Sequence, residues 1–75
     1  MSDEDRTVLR ALIRKKLARY KEENRIGVPT FAKRITDANP AHEIQITTLQ
    51  RFQVGHARTE DRYVALFHRF AESLS

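Results

Sequence analysis

The chain has 75 residues, no cysteine and a net charge of +4 at pH 7, because 14 Lys and Arg stand against 10 Asp and Glu. This length allows one domain with a small hydrophobic core, and the lack of cysteine excludes disulfides and thiolate metal sites. No apolar run approaches the ~20 residues that cross a bilayer, and the acidic start MSDEDR is unlike a secretion signal. We therefore expect a cytoplasmic protein, and the basic balance favours a polyanionic partner, chiefly nucleic acid.

The first predicted helix runs from about Asp3 to Asn24. Ser2 can cap it, and the acidic first turn suits the positive end of the helix dipole. Apolar side chains recur at helical spacing at Leu9, Leu12, Ile13, Leu17 and Tyr20. Three cations flank this stripe: Arg10, Arg14 and Lys21. They could contact a phosphate or a partner, but the cations near the third helix, named below, are preferred for that role.

A second helix is predicted in the segment TFAKRITDA. Gly27 and Pro29 separate it from the first helix, and Thr30 is the expected cap. It ends at Asn39-Pro40, because a residue that precedes proline is disfavoured in the helical region. Its inward side chains are Phe31, Ile35 and Ala38, while Lys33 and Arg34 point elsewhere.

A short third helix is predicted in ITTLQRFQVG, residues 46–55. Thr47 and Gln50 have the spacing of a capping box, and Gly55 can end the helix in a left-handed conformation. Leu49 and Phe52 share the inward side. The outward side carries Thr47, Gln50, Arg51 and Val54.

A fourth helix is predicted after Thr59, its expected cap, with acidic residues in the first turn. Its apolar stripe covers about 160° of the helix, enough to contact two neighbours or to leave part for a partner. The stripe consists of Tyr63, Val64, Leu66, Phe67, Phe70, Ala71 and Leu74. No segment clearly indicates a strand, so we predict a single all-α domain over residues 1–75: a compact bundle of about four helices.

The second and third helices together form a helix–turn–helix arrangement. In the DNA-binding form of this motif the second helix lies in the major groove and contacts base edges. Arg51 can donate two hydrogen bonds to guanine, Gln50 can pair with adenine, and Val54 can contact a thymine methyl group. Thr47 or Thr48 can reach a base or a phosphate. The cations expected to hold phosphates are Lys33, Arg34 and Arg58.

The run from PTFAKRI through ITTLQRFQVG to RTEDRYVALFHRFAES resembles the lambda-repressor-like, or Cro-type, helix–turn–helix family over roughly residues 28–73. The resemblance implies a compact helical bundle that binds operator double-stranded DNA, often as a dimer. It also implies that Thr47, Thr48, Gln50 and Arg51 are the base readers. One departure is the connection NPAHEIQI, which is longer than the usual turn of about three or four residues.

A protein-binding regulator, of the antiactivator or antitoxin kind, is the alternative function. Its contact surface, and equally a homodimer surface, would be the apolar face of the fourth helix at Tyr63, Phe67, Phe70 and Leu74. A membrane-surface role for RALIRKKLARYK is a weaker interpretation, because a bundle helix with a basic edge has the same pattern. We expect no enzyme, cofactor or metal: His42-Glu43 begins an HExxH motif, but Ile46 replaces its second histidine.

Overall fold

The computed structural model of the chain describes residues 2–55 and 59–74. It contains four helices: α1 (Asp3–Asn24), α2 (Val28–Ala38), α3 (Ile46–Gln53) and α4 (Asp61–Glu72). Within these two ranges there is no strand, so the predicted all-α bundle of about four helices is confirmed. In the same ranges, none of the helices combines the length and the apolar character needed to span a membrane.

Helix α1 has the predicted bounds because its capping signals are local. The Ser2 Oγ accepts a hydrogen bond from the Asp5 backbone N–H at 3.2 Å, and the first turn is acidic. At the other end Arg25 adopts a left-handed conformation, with φ at 53°. Its backbone N–H donates to the Glu22 carbonyl at 3.2 Å, which closes the helix.

The predicted cap of α2 at Thr30 is wrong. The helix begins at Val28, with Gly27 rather than Thr30 as its N-cap and with Pro29 in its first turn. Proline is favoured there because it has no N–H to leave unpaired and its φ is already helical. Asn39 ends α2, as predicted from the following proline.

The predicted caps of the last two helices are also wrong. Helix α3 begins at Ile46 after Gln45, one residue before Thr47, and makes no side-chain cap hydrogen bond. Helix α4 begins at Asp61, with Glu60 in place of Thr59 as its N-cap. For α3 the cause lies in the preceding loop, where buried Ile44 donates its backbone N–H to the Thr36 Oγ1 at 2.9 Å. This bond ties the loop to α2 just before α3 begins.

The core lies between the four helices and is built around aromatic rings. Tyr20, Phe31 and Phe70, from α1, α2 and α4, contact one another with ring centroids 5.3 to 5.8 Å apart. Phe52 of α3 packs on Phe67 of α4 at 4.8 Å. Aliphatic side chains fill the remaining space, chiefly Ile13, Leu17, Ile35, Ile44, Leu49 and Val64.

The expected partner face of α4 is for the most part core. Phe67 is fully buried and Phe70 nearly so, because the wide apolar stripe faces α1 and α2 as well as α3. Tyr63 is half-buried against the same cluster, and only Leu74, at 41% exposed, offers a substantial open surface. Phe67 and Phe70 are therefore core side chains in the folded chain, and not open surface.

Replacing Phe67 with alanine should lower the free energy of unfolding by about 3–5 kcal/mol, because the change removes a fully buried ring and leaves a cavity. Leu74→Ala is the matched control and should cost about 1 kcal/mol or less, since its side chain is already partly in water. Urea unfolding measures both. Equal losses for the two variants would contradict this assignment of core and surface.

Candidate nucleic-acid interface

The outward face of α3 is formed by the side chains that the sequence predicted. Thr47, Gln50, Arg51 and Val54 are all exposed, and Val54 is 81% exposed. Thr48 is half-buried at the edge of this face. The face results from the helical period, because Leu49 and Phe52 are fully buried on the opposite side.

Arg14 of α1 holds the C-terminal end of α3. Its Nε donates a hydrogen bond to the Phe52 carbonyl at 2.8 Å, and its guanidinium lies 5.4 Å from the centroid of the Phe52 ring. A cation at this end of a helix also interacts favourably with the helix dipole. Arg14 is thus a positioning residue for α3, rather than the phosphate contact that ranked second from the sequence.

Gly55 follows α3 immediately beyond this contact. Its φ of 85° lies in the left-handed region that residues with a Cβ rarely adopt, as predicted from the sequence. A Cβ at this position would lie 3.7 Å from the Arg14 guanidinium carbon, an ordinary contact distance. The backbone conformation, and not the available space, therefore accounts for glycine here.

A shallow groove of about 830 Å³ runs between α3 and the C-terminal part of α1. Gln50, Arg51 and Val54 line one side of it, and Lys21 and Arg25 line the other. Besides Val54, the apolar residues of the groove are Ala18, Ile26 and Val28. Three cations against one carboxylate, Glu22, make the groove net positive next to the exposed face of α3.

Arg25 lines the groove although the sequence pattern does not point to it. Arg14 and Lys21 lie on one flank of α1, and Arg25, the C-cap of the helix, follows Lys21 by four residues. Its proximity to α3 depends on which flank of α1 packs against α3, and a helical pattern alone does not reveal that. In the structure, the bond from Arg14 to the Phe52 carbonyl and the residues that line the groove identify the flank of α1 that faces α3.

The cations predicted to hold phosphates have different surroundings. Lys33 is exposed and, among the described residues, has no ion pair. Arg34 instead joins α2 to α1: its Nη1 lies 2.9 Å from the Tyr20 hydroxyl and 3.5 Å from the Asn24 Oδ1. Its side chain therefore stabilises the junction of two helices. Arg58 lies outside the described residues.

Residues 2–55 and 59–74 contain no group of three His, Asp or Glu side chains placed to hold a metal ion. His68 lies 3.2 Å from the Glu72 carboxylate within α4, and His42 is exposed in the loop before α3.

Comparison of the chain with known protein families, curated proteins and solved structures found no match. The resemblance to the lambda-repressor-like family therefore rests on the sequence pattern of residues 28–73.

Replacing Arg14 with alanine should destabilise the fold by about 1.5–3 kcal/mol, the usual contribution of a hydrogen bond from a charged donor. The loss should also be local. Relative to the wild-type protein, Arg14→Ala should therefore speed the exchange of α3 amides with solvent more than that of α1 amides. Urea unfolding and amide hydrogen exchange measure the two effects.

Arg69→Ala is the control, because Arg69 is exposed on α4 and has no ion pair among the described residues. It should leave both measurements almost unchanged. Unaltered α3 exchange in Arg14→Ala would show that Arg14 does not position this helix.

Proposed function

We propose that this protein is a sequence-specific regulator of transcription that binds double-stranded DNA, with α3 in the major groove. The observation that carries the proposal is the exposed face of α3, where Arg51, Gln50 and Val54 lie together beside a basic groove. The position of α3 after α2, and the resemblance of residues 28–73 to Cro-type proteins, support the same function. We place its action in the cytoplasm, with DNA that is accessible there.

The exposed side chains of α3 match what bases present in the major groove. Arg51 has no ion pair among the described residues, so its guanidinium is available to donate two hydrogen bonds to guanine. Gln50 is suited to adenine in the same way, and Val54 to a thymine methyl group. Thr47 and Thr48 lie in the first turn, the part of a recognition helix that usually reaches the bases.

In this proposal, the contacts with the phosphate backbone of the DNA come from the α1 side of the groove more than from α2. Lys21 and Arg25 stand across the groove from Arg51, so they would meet phosphates when α3 enters the major groove. Lys33 is exposed and remains a further phosphate contact. Such contacts supply much of the affinity and its dependence on salt, but they carry no direct sequence information.

The connection between α2 and α3 affects how the protein would approach DNA. Residues 39–45 join the two helices, and buried Ile44 fixes the second half of this loop. His42 and Glu43 are exposed in it. Because a carboxylate repels phosphate, we propose that the Glu43 side of the loop faces away from the DNA backbone.

A protein partner is the second candidate function, and the groove favours it in one respect. Ala18, Ile26 and Val28 give the groove an apolar part, which a short segment of another protein could cover. The predicted contact face for such a partner, on α4, is for the most part core. The cations around the groove still favour a polyanion over a protein.

Selection from a pool of random duplex DNA at two salt concentrations, followed by sequencing of the retained fraction, tests the proposed function. We expect an enriched motif and an affinity that falls steeply as salt rises. A folded protein that retains no duplex DNA at low salt would refute DNA binding and leave the protein partner as the better candidate.

Two variants should separate base reading from phosphate binding. Arg51→Ala should cost about 1–3 kcal/mol on the selected site, with a relaxed preference at one base. Arg25→Ala should weaken binding to all duplexes by a similar factor and lower the salt slope by about one. Titrations of specific and random duplexes at several salt concentrations measure both effects.

Arg69→Ala again serves as the control, since it removes the same charge from the exposed side of α4. It should change neither the specificity nor the salt slope by a comparable amount. Equal losses on specific and random DNA for Arg51→Ala would contradict its role in base reading.

A further inference from the structure

The outer face of α1 carries a regular row of side chains that the bundle does not use. Asp5, Val8, Leu12 and Lys15 follow one another at intervals of three, four and three residues. This is the spacing of the contact seam between two helices in a coiled coil. We call these four residues the α1 seam. Val8 and Leu12 are each 54% exposed, so an apolar pair stands in water at its centre.

The charged ends of the α1 seam are free of partners within the described part of the chain. Four neighbouring cations of α1 pair with carboxylates: Arg6 and Arg10 with Asp61, Lys16 with Glu72, and Arg19 with Glu23. Arg14 binds the Phe52 carbonyl. Asp5 and Lys15 take part in no ion pair among residues 2–55 and 59–74.

We propose that the α1 seam is the interface of a homodimer in which the two α1 helices pack antiparallel. In this arrangement Val8 lies opposite the partner subunit's Leu12, and Leu12 lies opposite the partner subunit's Val8. Asp5 then lies opposite the partner subunit's Lys15, and the same pair repeats at the other end by symmetry. Such self-complementarity is the requirement for a twofold interface.

Charge determines the direction of the two helices. A parallel pair would place Asp5 against the partner's Asp5 and Lys15 against the partner's Lys15. Both contacts would be repulsive, whereas the antiparallel pair makes two attractive contacts around the same apolar centre. Charge complementarity therefore favours a second copy of this chain, packed antiparallel, as the occupant of the seam.

The geometry of α1 leaves the face of α3 open. The α1 seam covers about three turns, roughly 15 Å, of the 22-residue helix. Arg14, which marks the side of α1 that meets α3, lies about 140° around the helix from the α1 seam. The dimer interface does not depend on the proposed function. It also leaves the exposed faces of both α3 helices uncovered.

Sedimentation equilibrium of the protein without DNA tests the proposal. We expect a monomer–dimer equilibrium, and Asp5→Lys should raise its dissociation constant about tenfold or more by placing like charges opposite each other. Lys15→Asp should do the same, and the double exchange Asp5→Lys with Lys15→Asp should restore dimerisation. Asp3→Lys is the control, because it disturbs the helix dipole equally but lies off the seam.

Single cysteines test the helix direction, since the chain has no cysteine of its own. An oxidised mixture of Val8→Cys and Leu12→Cys proteins should give mainly the mixed disulfide, because only that pair brings the Cα atoms close enough. Disulfides formed mainly between identical variants would overturn the antiparallel arrangement.

A wild-type chain that stays monomeric up to about 1 mM would overturn the dimer. A dimer that Asp5→Lys and Lys15→Asp leave intact would overturn its location on the α1 seam. Circular dichroism spectra and melting curves recorded well below the dimer dissociation constant, where both variants are monomers, should be the same for Asp5→Lys and Asp3→Lys, which separates lost dimerisation from lost folding.

Discussion

Helix α3 has only eight residues, and an isolated helix shorter than about 12 residues is marginal in water. Its existence depends on the remainder of the molecule. Leu49 and Phe52 are fully buried, the Phe52 ring packs on Phe67 of α4, and Arg14 of α1 binds the Phe52 carbonyl. The exposed side of α3 is therefore held in place, because its other side packs against the three longer helices. A surface meant to recognise a partner by shape needs this kind of support.

The elements were predictable where the signals were local and strong. The bounds of α1 followed from Ser2, the acidic first turn and a long apolar stripe, and the end of α2 followed from Pro40. The starts of α2 and α3 were mispredicted because threonine is a good cap only where the chain path allows it. Pro29 starts α2 earlier, and the burial of Ile44 places the entry to α3 before Thr47. Pro29 is a local signal that outweighs Thr30, whereas the burial of Ile44 is tertiary context that capping preferences do not include.

The candidate site was predictable in part for the same reason. The period of α3 alone separates exposed Gln50 and Arg51 from buried Leu49 and Phe52, and the structure confirms that separation. The distribution of cations needed tertiary contacts. Arg34 joins α2 to Tyr20, whereas Arg25 lies on the groove beside α3. Likewise, the apolar stripe of α4 is wide because it contacts three neighbouring helices. From its width alone, part of the stripe could equally have served a partner.

The packing of α1 against α4 also has a consequence for how the protein is made. Tyr20 of the first helix contacts Phe70 of the last, and synthesis at about 5–20 residues per second separates their appearance by seconds. During that time α1 is long enough to be partly helical, with Ile13 and Leu17 uncovered. The nascent chain thus exposes an apolar stripe until α4 has been synthesised, and chaperones that bind such surfaces have this interval in which to act.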